Sequence, residues 1–224
     1  MDLEKRTLIT KEPLFTSGTA VSALAFSHDG ETLAAGIGQT TRLWDVSDRE
    51  QLTPSITGPP STISALAFGP DNRTLAIGAT NTTVLWDIRE GHRIGAPFTG
   101  HTGPVTSLAF SRDRTTLATG GQDGVVKLWE TTGQSQIGAP LTGHTGPVTF
   151  LTFNSDATTL TTSDERATVR RWNTAMPADP AATACAIVGR PLTRAEWAQY
   201  VPPGIDYRDI CPSLAEEPSR ADGE

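Results

Sequence analysis

The chain has 224 residues, 37% of them hydrophobic, a formal charge of -7 at neutral pH and a pI near 5.1. That length can bury a core in one or two domains, and the acidic balance works against nonspecific nucleic-acid binding, which needs cations for the phosphates. No apolar run reaches the ~18 residues of a membrane span, the N-terminal residues lack the layout of a signal peptide, and two cysteines are too few for a secreted disulfide framework, so a cytoplasmic protein is expected.

One unit recurs along the chain. Trp44, Trp86, Trp129 and Trp172 stand 42, 43 and 43 residues apart. Val21, Ile63, Val105 and Val148 stand 42, 42 and 43 apart, and Asp29, Asp71, Asp113 and Asp156 keep those same intervals. Three markers in register define repeats at 16–57, 58–99, 100–142 and 143–174. Self-similarity at this period is the signature of a repeat fold.

Within each copy the elements follow a fixed order. A first strand is expected at VSALAF, ISALAF, VTSLAF and VTFLTF. Turns follow at SHDG, GPDN, SRDR and NSDA, where an Asp can bond its own backbone. Second strands are expected at TLAAG, TLAIG, TLATG and TLTTS, and third strands at TTRLW, TTVLW, VVKLW and TVRRW. A fourth strand follows the Trp, as at Arg93–Phe98 and Gln136–Leu141. The runs are apolar on both faces, as in sheets covered on both sides. Four short strands per repeat, stacked sheet on sheet, solve the edge problem as a propeller does. The expected fold class is all-β: four blades of a β-propeller, whole or partial, plus a short α-helical C-terminal extension.

Leu43-Trp44-Asp45, Leu85-Trp86-Asp87, Leu128-Trp129-Glu130 and the pairs Gly100-His101 and Gly143-His144 resemble the WD-repeat family over residues 1–174. The resemblance implies a hydrogen-bonded chain of His, Ser or Thr, Trp and a turn Asp inside a blade. The third copy carries all four, as His101, Thr119, Asp123 and Trp129. The fourth carries a partial set, His144, Thr162 and Trp172, with Arg166 at the place of the Asp. The first two keep only Trp44 and Trp86, with Ala35 and Ile77 at the hydroxyl place, no His, and a turn one residue shorter. Losing the whole network costs less than leaving one orphan donor. Blades one and two are therefore expected to hold by packing alone, and blade three to be the most rigid.

The two ends break the pattern. Met1 precedes Val21 by 20 residues, much as Trp44 precedes Ile63 by 19. Residues 1–15 thus read as the spare fourth strand of a blade that is absent. The last copy ends at Trp172-Asn173, and Ala175-Met176-Pro177-Ala178-Asp179-Pro180 follows, where proline withholds the donor that a fourth strand needs. In the family the N-terminal strand completes the last blade. Three arrangements satisfy this: a four-bladed ring closed in cis, a homodimer by strand exchange with eight blades, or a fragment of a longer propeller with an open edge.

Residues 175–214 form the extension. Asp179-Pro180 before AATACAIV and Gly189 marks a short helix. Thr193 and Glu196 make a capping box, with Leu192 and Trp197 at the staple positions, for a second helix. Residues 215–224 are expected to be disordered. The extension resembles one at the C-terminus of bacterial, especially actinobacterial, WD-repeat proteins, through Cys185, Gly189-Arg190, Leu192-Thr193, Glu196-Trp197, Tyr200 and Cys211-Pro212. That likeness implies a propeller placed C-terminal to a signalling module. Cys185 and Cys211 read either as a tail-closing disulfide or as two buried thiols.

Catalytic signatures are missing. Gly120-Gly121-Gln122-Asp123-Gly124 sits in a strand turn, without the helix and Lys of a phosphate loop. His101 and His144 occupy structural places, and no His follows His144 to complete a zinc site. No enzyme activity, metal or cofactor is expected. The reading is a noncatalytic protein-protein interaction scaffold, the C-terminal propeller of a bacterial signalling protein, with protein partners and neither nucleic acid nor membrane. Thr102, Pro104, Thr145 and Pro147 are its candidate partner-binding residues, on loops that family analogy assigns to the top face. The alternative is a structural or oligomerisation remnant of a longer propeller that gates an upstream enzyme module.

Overall fold

The structure is a computed structural model that describes residues 16–175. The spare strand at 1–15, the helical extension, the tail at 215–224, and Cys185 with Cys211 lie outside the described residues. Among the described residues every regular element is a strand, and no helix is long and apolar enough to cross a membrane.

Four antiparallel sheets follow one another along the chain. The first is β1 (Val21–Phe26), β2 (Thr32–Ile37), β3 (Thr40–Asp45) and β4 (Gln51–Thr57). The second is β5 (Ala65–Phe68), β6 (Thr74–Gly78), β7 (Thr82–Asp87) and β8 (His92–Thr99). The third has β9 (Val105–Phe110), β10 (Thr116–Gly121) and β11 (Val126–Glu130), and the fourth β12 (Val148–Phe153), β13 (Thr159–Asp164) and β14 (Val169–Asn173). Strand order in each sheet is sequence order from inside to outside. Tight turns make this meander: Gly30, Asn72, Arg114 and Ala157 all sit at left-handed φ, between +54 and +75, in the turn after the first strand. The Asp of that turn holds it closed, as where Asp113 Oδ1 accepts Ser111 Oγ at 2.6 Å and Thr115 N at 3.0 Å.

The fourth strand expected at Gln136–Leu141 is reduced to two bridges, Trp129 with Gln136 and Val126 with Leu141. Gly138 at φ +65 and the donorless Pro140 interrupt the ladder between them. β8 carries the same pair as Gly95 and Pro97, and there the ladder survives with a register break between Thr83 and Leu85.

The core lies between blades. Leu43, Ile56, Ile63, Leu75 and Ile77 pack between the first and second. Leu85, Phe98, Leu117 and Trp129 pack between the second and third, and Val126, Val148, Leu151 and Leu160 between the third and fourth. Each inner strand therefore packs on the next, β1 on β5, β5 on β9 and β9 on β12. No comparable packing joins β12 back to β1, and Leu24 and Phe26 of β1 are 60% and 61% exposed. Among the described residues the four blades make an open arc.

A hydroxyl clasps each seam. Ser22 Oγ reaches Ile63 O at 2.5 Å, Ser64 Oγ reaches Val105 O at 2.5 Å, and Thr106 Oγ1 donates to Val148 O. Gln134 adds a longer tie, its side chain bonding Ala96 N and Ile94 O of the blade before.

Candidate functional site

The loops before β9 and β12 each set a His against the second and third strands of their own blade. In the third blade Trp129 Nε1 donates to Thr119 Oγ1 at 2.9 Å, and His101 Nε2 lies 2.7 Å from that same oxygen. His101 Nδ1 lies 3.1 Å from Asp123 Oδ2. One proton pattern satisfies all of these contacts: Thr119 accepts from Trp129 and donates to Nε2, and Nδ1–H donates to the carboxylate. Asp123 also accepts Thr102 N at 2.9 Å and Val125 N at 3.1 Å. Burial pushes its carboxyl up, but these N–H groups and His101 bring it below the ordinary carboxylate range.

The fourth blade holds a complete chain rather than a partial one. Trp172 Nε1 donates to Thr162 Oγ1 at 2.9 Å, and His144 Nε2 lies 2.6 Å from Thr162 Oγ1. The acid is Asp164, whose Oδ2 lies 3.0 Å from His144 Nδ1. Arg166 does occupy the turn place, but the acid has moved two residues back onto the end of β13. Residues two apart in a strand share a face, so Asp164 lies on the same side as Thr162. The position equivalent to Asp164 in the third blade is Gly121, and a Cβ built there would lie 2.5 Å from His101 Nδ1. Two backbone positions can thus deliver a carboxylate to one ring nitrogen. Burial pushes the Asp164 carboxyl up, yet N–H bonds from Thr168 and Thr145 with His144 hold it down at about 2. Its side chain and that of His144 have no exposed surface.

The first two blades replace the network with carbon. Ala35 and Ile77, at the hydroxyl place, are both fully buried, and Pro59 stands at the second blade's His place. Both blades bury Thr41 and Thr83, whose hydroxyls find no partner. In the second blade Asp87 caps the turn after the Trp, accepting Arg89 N and Glu90 N at 2.9 Å each, and pairs with Arg73 Nε at 2.6 Å.

Acid, imidazole and hydroxyl in line resemble the parts of an acyl-transfer triad. Here the hydroxyls of Thr119 and Thr162 are buried and already accept an indole N–H, so neither can reach a substrate. Among the described residues no group of three or more His, Cys, Asp or Glu could hold a metal ion. The accessible groups lie on the loops above. Thr102 and Thr145 are exposed, and Pro104 and Pro147 are half-buried, their carbonyls accepting Gln122 N at 2.8 Å and Glu165 N at 2.9 Å. Thr145 and Pro147 border a cavity of about 550 Å³ with Gln122, Gly124, Glu165 and Arg166, while Thr102 and Pro104 lie outside it.

Known proteins share this architecture. The WD domain, G-beta repeat family model matches residues 11–45, 50–87, 93–130 and 135–173. No curated protein matches the chain. A similar solved structure is that of the computationally designed Ika4 protein, 27% identical with a TM-score of 0.61, covering 70% of this chain and 93% of that one. WD40 repeats generally mediate protein-protein interaction, and their propellers are typically noncatalytic. With the family model matching more than half of its length, the chain belongs to the WD40 repeat family.

Proposed function

We propose that the chain is a noncatalytic protein-binding scaffold in the bacterial cytoplasm, the C-terminal propeller of a signalling protein, and that it meets partners on the loops of its third and fourth blades. One observation carries this reading. The two loops bearing Thr102, Pro104, Thr145 and Pro147 rise from the two blades that hold complete His–Thr–Trp–Asp chains. A rigid floor with exposed loop groups suits recognition, because little ordering entropy is lost on binding. The relocation of the acid to Asp164 leaves Arg166 exposed beside Thr145 at the cavity, where it is available to a partner. The likeness of the extension to those of bacterial WD-repeat proteins supports the signalling context.

The experiment uses the whole chain as bait in a lysate of its source cell, with crosslinking and mass spectrometry. T102R/T145R places bulk and charge on the loops, and H92R serves as a control at the exposed start of β8. The same partners should be retained by wild type and H92R and lost by T102R/T145R. Retention of that set by T102R/T145R would sink the proposal.

A further inference from the structure

The outward face of the fourth blade differs from those of the other three at the positions that form seams. At the fifth place of the inner strand, Ala25, Ala67 and Ala109 give way to Thr152. In the second strand, Ala34, Ala76 and Ala118 are all fully buried under the next blade, and their counterpart is the half-buried Thr161. In the third strand, Leu43 and Leu85 are 5% and 2% exposed and Leu128 packs against the next seam, whereas Arg171 is exposed. The inner-strand place held by Ala23, Ala65 and Ser107 holds Phe150, 58% exposed.

One exchange is steric. Gly36, Gly78 and Gly120 seat the first branched residue of the following blade. A Cβ at Gly36 would lie 2.7 Å from Ile63 Cγ2, at Gly78 3.0 Å from Val105 Cγ1, and at Gly120 2.6 Å from Val148 Cγ1. Contacts of 2.6 and 2.7 Å force a neighbour to shift and one of 3.0 Å is tight, so a side chain at this place crowds the residue that seats the next blade. The fourth blade has Ser163 at this place. The seam clasp changes with it. Thr149 stands where Ser22, Ser64 and Thr106 reach across to the next blade, and its Oγ1 lies 3.3 Å from both Ser163 O and Ser163 Oγ. Ser22, Ser64 and Thr106 also bond Gly36 O, Gly78 O and Gly120 O within their own blades, so Thr149 keeps the bond inside the blade and differs only in having none across a seam.

We infer that the outward face of β12, β13 and β14 is built as the end of the blade stack and turns away a further blade, the first blade of a second copy included. Stacked repeats need such a polar end face for solubility. Thr152, Thr161, Ser163 and Arg171 supply its polar groups beside the exposed Phe150 and Val169, and Ser163 and Phe150 add bulk where the other seams have little. The inward face of the first blade keeps the interior residue types Val21, Leu24 and Phe26, so the arc has two unlike ends. A head-to-tail ring needs both ends to match, and the fourth blade does not match the first. The inference stands apart from the partner-binding loops.

The test is sedimentation velocity of the full chain over a hundredfold range of concentration, on wild type and on T152A/T161A/S163G/R171L, which restores the interior seam. Wild type should keep the mass of one chain. The restored variant should double its mass or form larger species, with a cooperative melt like that of wild type. If that variant does not fold, S163G/R171L carries the same readout. A wild-type oligomer that F150D dissolves would overturn the inference. A restored variant that stays at the wild-type mass would overturn it equally.

Discussion

The carboxylate that orients His144 shows how a side chain can move along the backbone while its function stays in place. Asp123 reaches the ring from a turn, and Asp164 reaches it from the end of a strand. The two solutions exclude each other within one blade, because an added side chain at Gly121 crowds both His101 and Asp123. D123A should cost about 1–3 kcal/mol by leaving the buried imidazole N–H unsatisfied. G121D alone should also destabilise, and G121D/D123A should be less damaged than the sum of the two, with a coupling of about 1 kcal/mol or more; additive urea midpoints would refute this. Asp164 also predicts a pH response. Its folded value, about 2, lies below the ordinary 3.8. A carboxyl depressed in the native state stabilises above its unfolded value, and that stability is lost as pH falls through the folded one. The stability gap between wild type and D164N should therefore close between roughly pH 4 and pH 2, read from denaturant midpoints across that window. The repeat pattern marks His144 and Thr162 as network members, but it places the acid at the turn, where Arg166 stands. The signal was present: Asp164 stands two residues from Thr162, on the same strand face.

At the scale of the element, the third strands carry a cost that the repeat comparison explains. Thr41 and Thr83 are buried with unpaired hydroxyls, and Val126, their counterpart in the third blade, is equally buried. Valine keeps the shape and removes the orphan oxygen, so T41V and T83V should each stabilise by about 1 kcal/mol. A lowered thermal midpoint for either would mean that its hydroxyl has a partner, such as a buried water. The strands themselves followed from the apolar runs, and their turns from Asp29, Asp71, Asp113 and Asp156, because local sterics and side-chain-to-backbone bonds decide both. The third blade's outer strand did not follow. Residues 136–141 include apolar Ile137 and Leu141, but Gly138 and Pro140 break the ladder and leave two bridges.

At the scale of the whole molecule, one position in the repeat experiences very different environments. Leu24, Leu66, Leu108 and Leu151 are equivalent in sequence, yet Leu151 is 5% exposed and Leu24 60%. L151A should cost about 2–4 kcal/mol through lost contacts and a cavity, while L24A should cost under about 1 kcal/mol. Equal costs in chemical denaturation would mean that something covers β1 in solution, and the arc would not be open there.

By itself the sequence determined the repeat, its four-stranded unit, the family, and the His–Thr–Trp sets of the third and fourth blades. These rest on spacing and local chemistry, which a chain carries wherever it folds. It also held the exchange of Ala, Ala, Gly and Leu for Thr152, Thr161, Ser163 and Arg171, but not its meaning. Only the tertiary structure decided that these four share one face, that this face is the one the earlier blades bury against their neighbours, and that β12 does not return to β1. The physical reason is that a strand's alternation separates its two faces without saying which neighbour each will meet; that is settled by the packing of one sheet against the next.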